Sequence, residues 1–319
     1  MLIQKVAEND FLSEKEIHAV FSEACAAMDV DGKRVLFIIP DATRSMPLPL
    51  LFRTLFQELG GRVSKMDYLI ALGTHPPMPE EAINRMLGVS AEERKTTYGA
   101  VDVYNHAWQD PDSLTTVGTI SEEEIGEISG GLLRESVEVT INKRVLDYDL
   151  VCIVGPVFPH EVVGFSGGFK YFFPWLGALI TNYSINGTKD TPVRAVINKA
   201  ASLVPVDTRC FCLTVKRKDT RAVFFGKPLD AWSAAADLSK ETHIVYKEKP
   251  FHTILALAPP MYDEIWVAGK CMYKLEPVVA DGGELIIYGD HIHEVSVTHD
   301  KLIKKVGYHV RDYFTKQVE

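Results

Sequence analysis

The run Leu150-Val-Cys-Ile-Val-Gly-Pro-Val157 constrains the fold most. It is apolar on both of the faces that a strand alternates between, and rich in β-branched residues. A strand of that kind must be covered from both sides, which is the situation of a parallel sheet between helix layers. Two more runs have the same character, 34–40 (Arg-Val-Leu-Phe-Ile-Ile-Pro) and 65–72 (Lys-Met-Asp-Tyr-Leu-Ile-Ala-Leu). Antiparallel strands with one wet face would alternate instead. The class is therefore α/β.

The segments between these runs are patterned as helices. Ser13 and Glu16 form a capping-box pattern, with Leu12 and Ile17 placed as a hydrophobic staple. Behind them Ile17, Val20, Phe21, Ala24, Cys25 and Met28 make one apolar stripe. Pro47 and Pro49 open a helix through Leu59, and the acidic start at Glu80 leads a helix that Gly88 stops. Ser121 caps a charged first turn that cannot pass Gly130-Gly131, and 137–141 alternates as a half-buried strand. Further on, 192–203 reads as a helix, 209–215 and 221–227 as a hairpin, and 230–242 as a helix. Composition shifts near Lys247-Glu-Lys-Pro250. Beyond it a strand (251–258), a helix (262–274) and a strand (281–288) make one βαβ unit, and 300–319 reads as a closing helix. The expected architecture is two domains, 1–247 and 248–319, with mainly parallel sheets flanked by helices and the active site in the crevice between them.

A net charge of −9 without a basic block argues against nucleic acid or an anionic membrane as partner. No apolar run is long enough to span a bilayer, and the first ten residues lack the apolar core of a signal peptide. The cysteines at 25, 152, 210, 212 and 271 include no Cys-x-x-Cys; Cys25 and Cys152 fall in apolar patterns and read as packing residues. A reducing cytoplasm fits this usage.

Chemistry concentrates where the apolar runs end. The first strand runs into Asp41-Ala-Thr43-Arg44, the second into Gly73-Thr-His75, and a shorter segment into Asn105-His106. The central run is followed by Pro159-His160-Glu-Val-Val-Gly-Phe-Ser166-Gly167-Gly168-Phe-Lys170. Open α/β sheets bind ligands beyond the carboxyl ends of their strands. Arg44 is a fork for a carboxylate or phosphate, with Asp41 and Thr43 as hydrogen-bonding neighbours. Ser166 and the two glycines suit close approach to an anion. His160 exchanges a proton near neutral pH, and Lys170 serves either as a point charge or, desolvated, as a nucleophilic amine. The bland alternative is a tight strand-to-helix turn with a surface lysine. Repetition at several strand ends favours a crevice lined by His75, His160, Arg44 and His106. The aromatic stretch after Lys170 (Tyr171-Phe-Phe-Pro-Trp) suits the wall of a water-poor pocket, and His291 and His293 lack a third metal ligand at diagnostic spacing.

These clusters resemble the nickel-dependent lactate racemase family, whose members racemise or epimerise 2-hydroxyacids. Asp41-Ala-Thr-Arg44 is similar to its Asp-x-Thr-Arg motif and Gly73-Thr-His75 to its Gly-x-His-Arg, with Pro76 in place of the Arg. Asn105-His106 is similar to its Asn-His-Asp, with Ala107 last, and 159–170 matches the central motif over its whole length. The resemblance implies a nickel-pincer nucleotide (pyridinium-3,5-bisthiocarboxylic acid mononucleotide nickel) joined to Lys170. Asp41, Thr43, Ser166, Gly167, Gly168 and His106 would hold it. It further implies His75 and His160 as the acid/base pair, Arg44 on the substrate carboxylate and Lys270 assisting. The implied substrate is a small anionic 2-hydroxyacid, and the implied partners are the enzymes that make the cofactor. Two further departures are legible. The family's nickel-ligating histidine falls, sixteen residues after the lysine, on Asn186, and its Tyr-Gln pair before the C-terminal lysine is Trp266-Val267 here. The resemblance therefore points to a 2-hydroxyacid other than lactate. Asn186 also leaves open a non-catalytic cofactor-binding relative, and Lys170 a Schiff-base enzyme.

Overall fold

The computed structural model describes residues 1–73, 76–173, 186–297, 299–307, 309, 313 and 316. Its centre is a seven-stranded sheet. In chain order the elements are β1 (Ile3–Val6), α1 (Glu14–Ala26), β2 (Arg34–Ile39), α2 (Leu48–Leu59), β3 (Lys65–Ile70), α3 (Glu80–Leu87), α4 (Ala91–Lys95) and β4 (Val103–Asn105). Then come β5 (Leu114–Ile120), α5 (Glu122–Ser129), β6 (Val137–Asn142), β7 (Leu150–Pro156), β8 (Pro159–His160), β9 (Gly164–Phe165) and a 3₁₀ turn over Gly168–Phe172. α6 (Pro192–Ala201), β10 (Asp207–Lys216), β11 (Asp219–Gly226) and α7 (Pro228–His243) complete this part. β12 (Phe251–Leu257), α8 (Ile265–Leu275), β13 (Val279–Tyr288) and α9 (Asp300–Val306) follow.

The sheet order is β1-β11-β10-β7-β2-β3-β4. The five strands from β10 to β4 are parallel, and β11 and β1 add an antiparallel edge. From β2 the chain winds outward through β3 and β4, then returns to place β7 and β10 on the other side of β2. The order reverses between β2 and β7, paired with Ile38 opposite Ile153. Their carboxyl ends diverge there and open the crevice in which such sheets bind ligands.

Alternation within β2 shows why its run is unbroken. Val35, Phe37 and Ile39 face a core shared with α1 and α2, while Leu36 and Ile38 face a second core with α6, α7 and the β5–β6 hairpin. Every one of them is at most 1% exposed. The α1 capping box forms as expected, and Gly88 and Gly130 close their helices in the left-handed conformation. All five cysteines are buried and free. β1 and β5 were not anticipated: Ile3–Val6 is too short to show a period, and β5 is half-buried along most of its length.

The expected 262–274 helix starts later, at Ile265, because the buried Glu264 carboxylate accepts the Val297 N–H and pins the entry. β12 and β13 are a separate parallel pair packed on α8 through Ala256, Ala258, Tyr262, Ala268 and Cys271. The closing helix is described only over Asp300–Val306.

Candidate functional site

A cleft of about 160 Å³ lies at the reversal between β2 and β7. One wall is the segment after β2, with Asp41, Thr43 and Arg44; the opposite wall carries His160, Ser166, Gly167, Lys170 and Tyr171. Leu72 and Gly73, beyond β3, complete it, while His75 lies outside the described residues. Three separate stretches of sequence therefore meet at one place, and all lining residues belong to the part before residue 247.

The β2 wall is an Asx turn. Asp41 Oδ1 accepts from Thr43 N (3.0 Å) and Thr43 Oγ1 (2.5 Å), and Thr43 Oγ1 in turn accepts from Arg44 Nη1 at 3.3 Å. Asp41 thus shapes the loop, leaving the Arg44 fork half-buried at the cleft.

The opposite wall is not the strand-to-helix turn of the bland reading but a short hairpin, β8–β9, running into the 3₁₀ turn. Phe158 N donates to Ser166 Oγ (3.0 Å) and Ser166 N to Phe158 O (2.8 Å), so Ser166 closes the hairpin with its hydroxyl and its backbone N–H. Gly167 has φ 80°, and a Cβ on it would meet Val157 Cγ2 at 2.8 Å. Gly164 has φ 77°, and a Cβ there would sit 1.8 Å from Thr188 O. These glycines are required by backbone conformation and close approach together.

Lys170 is half-buried. Burial and the nearby Arg44 and Arg194 guanidinium groups lower its pKa to about 8, against a smaller opposing pull from Glu161. A neutral, nucleophilic amine is accessible there at moderate pH. His160 is pushed well below the usual imidazole range by burial first and then by Lys170, Arg44, Lys270 and Arg194, so it is neutral near pH 7. Its Nδ1 accepts the Val162 N–H at 3.0 Å, which puts the proton of the neutral ring on Nε2. Glu161 Oε2 stands 3.8 Å from the same Nδ1, and Glu161 Oε1 stands 3.9 Å from Lys270 Nζ. Lys270, on α8, approaches the site through that carboxylate; burial lowers its pKa.

His106 does not line the cleft. It is 3% exposed, with Nδ1 3.0 Å from Asn142 Nδ2, in a much smaller cavity behind Tyr171 and Phe172, and burial lowers its pKa to about 4. Asn186 also lies outside the cleft lining, in the turn where Gly187 N donates to Gly164 O (2.9 Å); its buried Oδ1 has no hydrogen-bond partner among the described residues. No group of three or more His, Cys, Asp or Glu side chains able to hold a metal occurs among the described residues. His291 is engaged with the Tyr262 carbonyl, Nε2 to O at 3.0 Å.

Sequence reasoning missed Glu161 and Arg194, whose charges bear on Lys170, whereas Tyr171, from the aromatic stretch read as a pocket wall, lines the cleft. Glu161 adjoins His160 inside the recognised motif, and Arg194 sits three residues before Ile197 on an otherwise apolar helix stripe. Those were the available signals.

Comparison with known proteins places these observations. Residues 8–181 match the model of the lactate racemase N-terminal domain. Lactate racemase from Thermoanaerobacterium thermosaccharolyticum is 27% identical over 154 residues, which span 46% of this chain and 30% of that protein. A crystal structure of a protein from Thermotoga maritima superposes with a TM-score of 0.82 at 29% identity, covering 98% of this chain and 80% of that one. The lactate racemase apoprotein from T. thermosaccharolyticum superposes with a TM-score of 0.69 at 20% identity, covering 88% and 68% respectively, a likeness of fold.

Proposed function

The chain belongs to the lactate racemase N-terminal domain family, and from that premise we propose that it racemises or epimerises a 2-hydroxycarboxylic acid. One observation carries the reading: Arg44, His160 and Lys170, which the sequence scatters over more than a hundred residues, share one cleft at the sheet's reversal.

The organic part of a nickel-pincer nucleotide suits the donors present. Lys170 offers a nucleophilic amine for attachment, and Ser166, Gly167, Asp41 and Thr43 line the same cleft, whereas Gly168 packs against Trp232 outside the lining. The nickel is less well served, because Asn186 brings an amide where an imidazole would suit the metal, and its Oδ1 is buried outside the cleft lining. When bound, such a group supplies a hydride acceptor and donor for the substrate α-carbon. The enzymes that make it are partners on this reading.

The chain's own residues supply the remainder. Arg44 binds the substrate carboxylate through its fork. His160, held neutral, is in the protonation state that accepts the hydroxyl proton. Accepting it at Nε2 requires the tautomer with the other proton on Nδ1, which exchanges the Val162 N–H contact for one toward Glu161. His75 would serve the opposite enantiomer, Lys270 would add positive charge near the substrate, and the aromatic side chains after Lys170 would exclude water.

Intact-mass measurement after co-expression with cofactor-making enzymes tests the assignment. A nucleotide-sized adduct is expected on the wild type and none on Lys170→Ala, together with enantiomer interconversion measured by polarimetry across a panel of 2-hydroxyacids. The amine's lowered pKa also suits a second reading, a Schiff base with a carbonyl substrate. Borohydride trapping of a 2-keto acid on Lys170, with no adduct after co-expression, would select that reading.

A further inference from the structure

Behind the lysine turn lies a pair of side chains to which the proposed reaction gives no role. Arg194 on α6 is 3% exposed, and Trp232 on α7 is 5% exposed. The guanidinium stacks 4.2 Å over the indole ring. Arg194 Nη2 donates to Phe165 O and Nη1 to Gly167 O (3.3 Å), while Trp232 Nε1 donates to Ser166 O at 2.9 Å. Three successive carbonyls are thus held by two stacked side chains. The next residue, Gly168, lies so close to the indole that a Cβ on it would stand 3.0 Å from the ring.

A buried guanidinium is costly to desolvate and is ordinarily met by a carboxylate. Here carbonyl oxygens and a ring meet it, its Nε has no hydrogen-bond partner among the described residues, and burial lowers its pKa to about 10. Packing alone would be served as well by an apolar residue of similar length. What a fork adds is the ability to fix two carbonyls two residues apart.

We propose that Arg194 and Trp232 form a clamp that fixes the 165–168 backbone and thereby sets where the Lys170 amine stands in the cleft. Arg194 and Trp232 are positioning residues on this account. The proposal rests on the reading of Lys170 as the functional lysine. Four charged groups face that amine: Arg44 after β2, Arg194 on α6, Glu161 between β8 and β9, and Lys270 on α8. Arg194 therefore influences Lys170 through charge as well as position, and the test separates the two.

The measurement is trace acetylation of the purified free protein with acetic anhydride from pH 6.5 to 10.5, with Lys170 reactivity read by peptide mass spectrometry. The wild-type midpoint is expected near the lowered value of about 8. Arg194→Met, which loses charge and fork, should raise it by about one unit. Trp232→Phe keeps every charge and the stacked ring but loses the bond to Ser166 O; it should still raise the midpoint by roughly half a unit, and speed amide exchange across 165–169 about tenfold. A shift in Arg194→Met with none in Trp232→Phe would leave Arg194 acting by charge alone and overturn the clamp, as would no shift in either. Should Arg194→Met not fold, Arg194→Lys and Trp232→Phe decide: the clamp requires a raised midpoint in both although each keeps the cation. Neither substrate nor cofactor is present, so an inactive protein with the expected midpoints counts against the proposed reaction and not against the clamp.

Discussion

The parts before and after residue 247 are built from the same βαβ grammar but differ in how their sheets are covered. In the first, β2 and β7 are buried on both faces between two helix layers. In the second, α8 covers one face of the β12–β13 pair, and Leu255 (61% exposed), Leu257 (68%) and Tyr288 (55%) stand open on the other. The doubly covered sheet carries the cleft, whereas the singly covered one contributes Lys270 through a long ion pair to Glu161. Precise chemistry rests on the part whose neighbours over-determine it.

On the proposed reaction, the largest effects expected from this contrast are catalytic. His160→Ala should cost roughly 10²–10⁴-fold in rate, while Lys270→Ala, half-exposed and reached from the second part, should cost about tenfold. Steady-state kinetics on the active 2-hydroxyacid compare them, and equal losses would break the asymmetry. Next comes stability. Phe37→Ala, at 0% exposure on β2, should cost about 3–5 kcal/mol by denaturant unfolding.

A pH-dependent effect is smaller and changes with conditions. The folded pKa of Lys170, about 8, lies below the ordinary 10.5. Between those values the unfolded chain binds the extra proton, so this residue lowers stability below about pH 8 and ceases to do so as pH rises through 10.5. Lys170→Met should therefore be more stable than wild type at pH 7, with the gain vanishing near pH 11 in paired thermal melts. A gain that is constant with pH would mean the lysine is not desolvated. The smallest effect is on the open face, where Leu257→Ser should change stability by no more than about 0.5 kcal/mol. A larger loss, or a change in sedimentation, would show that this face is covered in solution.

Much of this contrast is legible in the sequence. Unbroken apolar runs specify strands covered on both sides, because only a parallel sheet between helix layers buries every residue of such a run. Ser13/Glu16 and Gly88 set helix ends by local hydrogen bonding and backbone freedom, which act within a few residues. Polar clusters at strand ends named Asp41, Arg44, His160, Ser166 and Lys170, since strand direction alone decides which end binds. Only the tertiary structure decided the rest. Strand order put β7 beside β2 and so joined Arg44 to Lys170; it also set His106 behind Tyr171, although its sequence position resembles His160's. Arg194 and Trp232 became partners of the lysine turn because α6 and α7 pack against it, a contact between segments that no local period encodes. Local signals determine what an element is, whereas which elements meet depends on packing across the whole sheet.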